Sequence, residues 1–143
     1  MGRSRRLLER IVALADGRDR DGWGQLMAPD CEFVVPGAPP VRGREVIEGF
    51  GRAWDAAFSG GRHTVLDMVE SGDLAVAELR WTGTHTGTLV TPQGEVPATG
   101  RSVVLDHVLA IRTGTDGEMA ESVHTYFDQL GFMQQLGLVP ATA

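Results

Sequence analysis

His124, Tyr126 and Asp128 set an imidazole, a phenol and a carboxylate two residues apart near the C-terminal end of the chain. Side chains alternate along a β-strand, so these three share one face with Ser122, while Val123, Thr125 and Phe127 share the other. Such a set makes a candidate acid/base site, its base a carboxylate whose pKa burial raises and its partners imidazole and phenol donors. On this reading the polar face looks into a pocket and Asp128 is its general acid/base. Aspartate is also a favoured helix N-cap and Asp128 precedes a predicted helix, so cap and catalyst both stay open. A second imidazole, His107, shares its strand face with Leu105, Leu109 and Ile111, and is expected inside.

The other chemistry-bearing residues are sparse. His63, His85, His107 and His124 lack the close spacing of a metal-ligand motif, so no metal site is expected. Cys31 stands alone in the apolar run Cys31 to Val35 and reads as a small buried hydrophobe; a single cysteine forms no internal disulfide, which fits a reducing cytoplasm. All 13 basic residues are arginine, which excludes lysine Schiff-base chemistry, and without asparagine there is no N-glycosylation site. This Arg/Ala/Gly-rich composition is that of a GC-rich genome such as an actinomycete's. The formal net charge of -6 argues against nucleic acid or an anionic membrane as partner. Neither a signal-peptide core nor a membrane span is expected.

The elements that must position these groups follow from periodicity. At 143 residues, 42% hydrophobic and 22% charged, the chain reads as one domain, 1–143, able to enclose a small cavity. Ser4 is placed to cap a helix over 5–15, with a stripe of Leu7, Leu8, Ile11, Val12 and Leu14 stopped by Gly17. Asp19 caps a short second helix carrying Trp23, Leu26 and Met27 as far as Pro29. Cys31 to Val35 is a strand, and residues 36–40 a stiff loop. Val46, Ile47, Phe50, Trp54 and Phe58 mark a helix over 44–58, closed by Ser59-Gly60-Gly61. Strands over 63–70 and 74–85 form a hairpin about Ser71-Gly72-Asp73; strands over 103–112 and 118–128 form another about 113–117. Residues 87–100 are an irregular excursion. A last helix carries Leu130, Phe132, Met133 and Leu136 until Gly137. Helices followed by an antiparallel meander argue an α+β fold, a curved sheet wrapped around a long helix to make a cone with a pocket in its mouth.

In this order of elements the chain resembles the nuclear-transport-factor-2-like superfamily, and within it the SnoaL-like polyketide cyclase and ester cyclase families. The resemblance runs from about Ile11 to Leu138. It rests on Phe33-Val34-Val35-Pro36-Gly37-Ala38-Pro39-Pro40-Val41-Arg42-Gly43-Arg44-Glu45, on Trp81-Thr82-Gly83-Thr84-His85-Thr86-Gly87, on Pro97-Ala98-Thr99-Gly100-Arg101, and on Tyr126-Phe127-Asp128-Gln129-Leu130-Gly131 with Phe132 to Leu138. It implies a cofactor-independent enzyme closing a ring in a polyketide or related natural product by intramolecular aldol chemistry, as in antibiotic biosynthesis. Asp128 takes the acid/base role. The family's histidine on the neighbouring strand is matched by His107 if the longer 113–117 turn accounts for the spacing, and His124 competes for the same assisting role. Tyr126, Trp54, Trp81, Phe33 and Phe50 are expected around a hydrophobic substrate, and relatives pair as homodimers through the outer sheet face. Two relatives offer other chemistries. Limonene-type epoxide hydrolases need an Arg-x-Asp pair, and Arg80-Trp81-Thr82 lacks the second acid, which leaves an epoxide-opening cyclase with different partners. SnoaL-like hydroxylases remain open, as does a small-molecule-binding module without turnover.

Overall fold

In the computed structural model, which describes residues 2–140, the chain runs α1 (Arg3–Asp16), α2 (Arg20–Gln25), β1 (Met27–Val34), β2 (Val41–Arg42), α3 (Arg44–Ala57), β3 (Phe58–Ser71), β4 (Leu74–His85), β5 (Leu89–Thr91), β6 (Gly94–Val96), β7 (Ser102–Thr113), β8 (Ala120–Phe127) and α4 (Gln129–Gln135). The apolar stripe of α1 is where the 3 and 4 spacing puts it: Leu7, Leu8, Ile11 and Val12 are buried. Ser4 does not cap this helix. It lies inside the first turn, buried, with its hydroxyl donating to the Glu70 carboxylate at 2.8 Å. Asp19 does cap α2, accepting from Gly22 N–H at 2.9 Å.

Six strands form one curved sheet in the order β2-β1-β8-β7-β4-β3, and β5 pairs only with β6. β3, β4, β7 and β8 are the expected antiparallel meander, but β1 joins it in parallel alongside β8. Further local readings change, and Met27 to Pro29 belong to β1 rather than to the second helix. Ser59-Gly60-Gly61 does not end α3 but lies within β3, at a bulge between Ser59 and Arg62 where Gly60 adopts φ +66°. The stretch 87–100 contains the small β5–β6 hairpin.

Inward-facing residues alternate along the meander: Ala75, Ala77, Leu79 and Trp81 on β4, Val103, Leu105, Leu109 and Ile111 on β7, Val123 on β8. They pack in two apolar clusters. One gathers α1, Trp23, Met27, Phe33 and Ile47 over the β4–β7–β8 centre, and the other joins Phe58, Trp81, Leu89, Leu105, Phe132 and Leu136. Cys31 is fully buried in the first cluster, and burial, helped by Asp30, pushes its thiol pKa up to about 12.

Candidate functional site

Between the two clusters lies a cavity of about 490 Å³. An aromatic belt walls it: Phe33 and Phe50 have ring centroids 5.0 Å apart, Trp54 and Trp81 5.2 Å, Trp54 and Phe132 5.8 Å, and Phe127 and Phe132 5.8 Å. α3 delivers Phe50 and Trp54, β1 Phe33, β4 Trp81, and the β8–α4 corner Phe127 and Phe132. Volume and lining suit a planar, mostly apolar molecule of drug-like size.

Polar groups enter this space at few points, and two of them are imidazoles. His63 on β3 stands cross-strand from Trp81, and His107 on β7 cross-strand from Leu79 and Phe127; the two rings lie 5.4 Å apart at 60°. Asp16, the last residue of α1, reaches across to β3. Its carboxylate accepts from the His63 backbone N–H at 3.0 and 3.1 Å and meets Nδ1 at 2.5 Å. A carboxylate at Nδ1 assigns the proton there, which leaves Nε2 of the neutral ring as an acceptor. Among the described residues His107 has no such partner, and its Nδ1 is buried without a hydrogen bond to any of them. Desolvation, then the neighbouring His63, push the His107 pKa down to about 4, with Asp106 opposing, so this imidazole is neutral near pH 7. One ring is thus oriented by a carboxylate, and the other is kept uncharged beside it.

Arg20, also at the cavity wall, is a closed pair. It donates to both Asp55 carboxylate oxygens at 2.8 Å, and its guanidinium lies 4.6 Å over the Trp23 ring. Among the described residues no group of three or more His, Cys, Asp or Glu is arranged to hold a metal ion.

The structure divides the residues singled out from the sequence. Trp54, Trp81, Phe33, Phe50 and His107 line the cavity. His124, Tyr126 and Asp128 do not, because the alternation of β8 is inverted relative to expectation: Val123, Thr125 and Phe127 face inward. The cause is the one that governs half-buried strands. The apolar and β-branched face seeks the core, and that face also lines the cavity. On the outer face His124 Nε2 bonds the Glu32 carboxylate at 2.8 Å and its Nδ1 meets the Tyr126 hydroxyl at 3.2 Å, with Tyr126 53% exposed. Asp128 caps α4, accepting from Gly131 N–H at 2.9 Å, and is exposed. Asp16 and His63 escaped the sequence reading because their partnership spans 47 residues and no local spacing announces it.

A cone-like α+β domain with an apolar cavity under its sheet is the nuclear-transport-factor-2 or ketosteroid-isomerase class of fold. Residues 8–122 match the family model of the SnoaL-like domain, and the chain belongs to that family. Solved structures agree on the architecture. A candidate SnoaL-like polyketide cyclase from Jannaschia sp. CCS1 superposes with a TM-score of 0.83 at 20% identity, covering 96% of this chain and 94% of the other. AclR, a candidate hydroxylase from Streptomyces galilaeus, gives 0.80 at 18%, covering 98% and 84%. A protein with a ketosteroid-isomerase-like fold from Catenulispora acidiphila, in complex with trimethylamine, gives 0.75 at 22%, covering 96% and 97%. At these identities the likeness is one of fold. No curated protein matches the chain.

Proposed function

We propose that this protein is a cofactor-independent SnoaL-like cyclase that closes a ring in an apolar, polyketide-like small molecule by acid/base catalysis. The observation that carries this reading is the Asp16–His63 pair set beside the neutral His107 in an aromatic-walled cavity. His63 Nε2 removes a proton from the carbon beside a carbonyl, and the imidazolium formed is held by its Nδ1–H bond to Asp16. His107, neutral, donates to the enolate oxygen as charge develops there. The enolate carbon attacks a second carbonyl of the same molecule, and the resulting alkoxide takes back the proton from His63. The step is an isomerisation that forms one C–C bond and consumes no co-reactant. In this reading the acid/base role expected of Asp128 passes to His63, and Asp128 serves as the cap of α4.

The test is a gene deletion in the native host, complemented with wild type, His63→Gln or Asp128→Asn at matched soluble protein. Mass spectrometry of the metabolites reads the outcome. Accumulation of an isomeric, uncyclised precursor that Asp128→Asn clears and His63→Gln does not supports the reading. A precursor lacking one oxygen points to hydroxylation. Clearance by His63→Gln overturns the assignment.

A further inference from the structure

We infer that the β5–β6 hairpin is a movable gate over the cavity and that the buried His85 is its latch, a proposal that rests on reading the cavity as a ligand site. Residues 89–96 all line the cavity, yet none of them pairs with the six-stranded sheet. The foot of the hairpin rests on the cluster of Phe58 and Trp81 through Leu89, which is buried, and Val96. Its tip stands clear, with Pro92, Gln93 and Gly94 exposed. A wall built this way can swing without breaking the main sheet.

Both legs of the hairpin are gathered at one residue. His85 N–H donates to Arg101 O at 2.9 Å and His85 O accepts from Gly100 N–H at 2.8 Å. Its ring Nδ1 meets the Thr99 hydroxyl at 2.9 Å and accepts from the Thr99 N–H at 3.2 Å. On the incoming leg, Thr86 and Gly87 N–H both reach Ala57 O at 3.0 Å, and a side chain at Gly87 would lie 2.0 Å from Ala56 O. The swinging unit is therefore 88–98, hinged at 85–87 and 99–101.

The chemistry of the ring identifies it as more than filler. His85 is 0% exposed and packs on Phe58 with centroids 5.2 Å apart. Because Nδ1 accepts from Thr99, the neutral ring carries its proton on Nε2, a buried donor that reaches no acceptor at good geometry among the described residues; burial lowers the ring's pKa and the Gly87 backbone opposes it. An apolar ring would fill the same space without an unmet donor, so the imidazole is retained for what Nδ1 holds.

The experiment compares wild type with His85→Phe, which keeps a ring against Phe58 and removes the acceptor, and with Thr99→Val, which removes only the hydroxyl. Amide hydrogen exchange is read along the full chain. In parallel, stopped-flow fluorescence follows the entry and release of 1-anilinonaphthalene-8-sulfonate through quenching of Trp54 and Trp81. A latch predicts faster exchange confined to 88–98. It also predicts entry and release rates that rise by the same factor, about tenfold in His85→Phe and less in Thr99→Val, with the dissociation constant held within about twofold. Faster exchange spread through β4 and β7, or unchanged entry and release rates, overturns the latch. If the dye leaves tryptophan emission unchanged in the wild type, the ligand-cavity reading fails, and the latch is decided by the exchange pattern alone. Should His85→Phe not fold, Thr99→Val carries both readouts.

Discussion

A carboxylate 2.5 Å from His63 Nδ1 and an orphaned nitrogen on His107 are two halves of one electrostatic arrangement, and each can be tested by itself. Asp16→Asn keeps the shape but weakens the hold on an imidazolium. It should lower turnover of the accumulated precursor by about 10²- to 10⁴-fold while the protein stays folded, as judged by circular dichroism. His107 carries the pH signature. Its pKa is about 4 in the fold against the ordinary 6.5, so below pH 6.5 the unfolded chain binds a proton that the folded one refuses. Stability from this group is complete above pH 6.5, is lost as the pH falls to 4, and is flat below. The loss is about 3 kcal/mol by linkage, and His107→Phe should remove that part of the pH dependence in urea-unfolding midpoints. Asp128→Ala, by contrast, should cost about 1 kcal/mol through the lost α4 cap, with the metabolite profile unchanged.

Among the elements, spacing predicts structure where one period dominates. The stripe of α1, the Asp19 cap and both hairpins of the meander came from local signals that the core then obeyed. β8 went the other way because its polar residues invited a catalytic reading, while burial is decided by Val123 and Phe127 on the opposite face. Gly60 and Gly61 look like a helix stop in isolation, yet in the sheet they sit at the bulge near the start of β3, two residues before His63. His63 was legible only as one of four histidines. Its pairing with Asp16 depends on where the end of α1 crosses β3, a tertiary fact. Gly87 is the junction most sensitive to change. Gly87→Ala drives a methyl into Ala56 O and should cost about 2 kcal/mol or more, seen as a lower Tm and faster exchange in residues 86–98.

Across the whole molecule, the outer sheet face is the surface left to account for. It displays Val104 on β7 and Tyr126 on β8, both about half exposed, beside the Glu32–His124 pair. Homodimer formation through this face predicts a light-scattering mass of twice 15.4 kDa that Val104→Asp with Tyr126→Asp halves. A mass of one chain in the wild type removes the dimer from the reading. No helix of the described residues is long and apolar enough to cross a membrane.

The fully buried thiol in β1 gives this protein a chemical clock of its own. With its pKa near 12, Cys31 offers almost no thiolate at neutral pH, and no reagent reaches it in the closed fold. Alkylation therefore counts openings. The single label, weighed by mass spectrometry over time, yields the free energy of exposing β1 without any added probe. A bound ligand that stabilises the cavity should slow that clock in proportion to its occupancy.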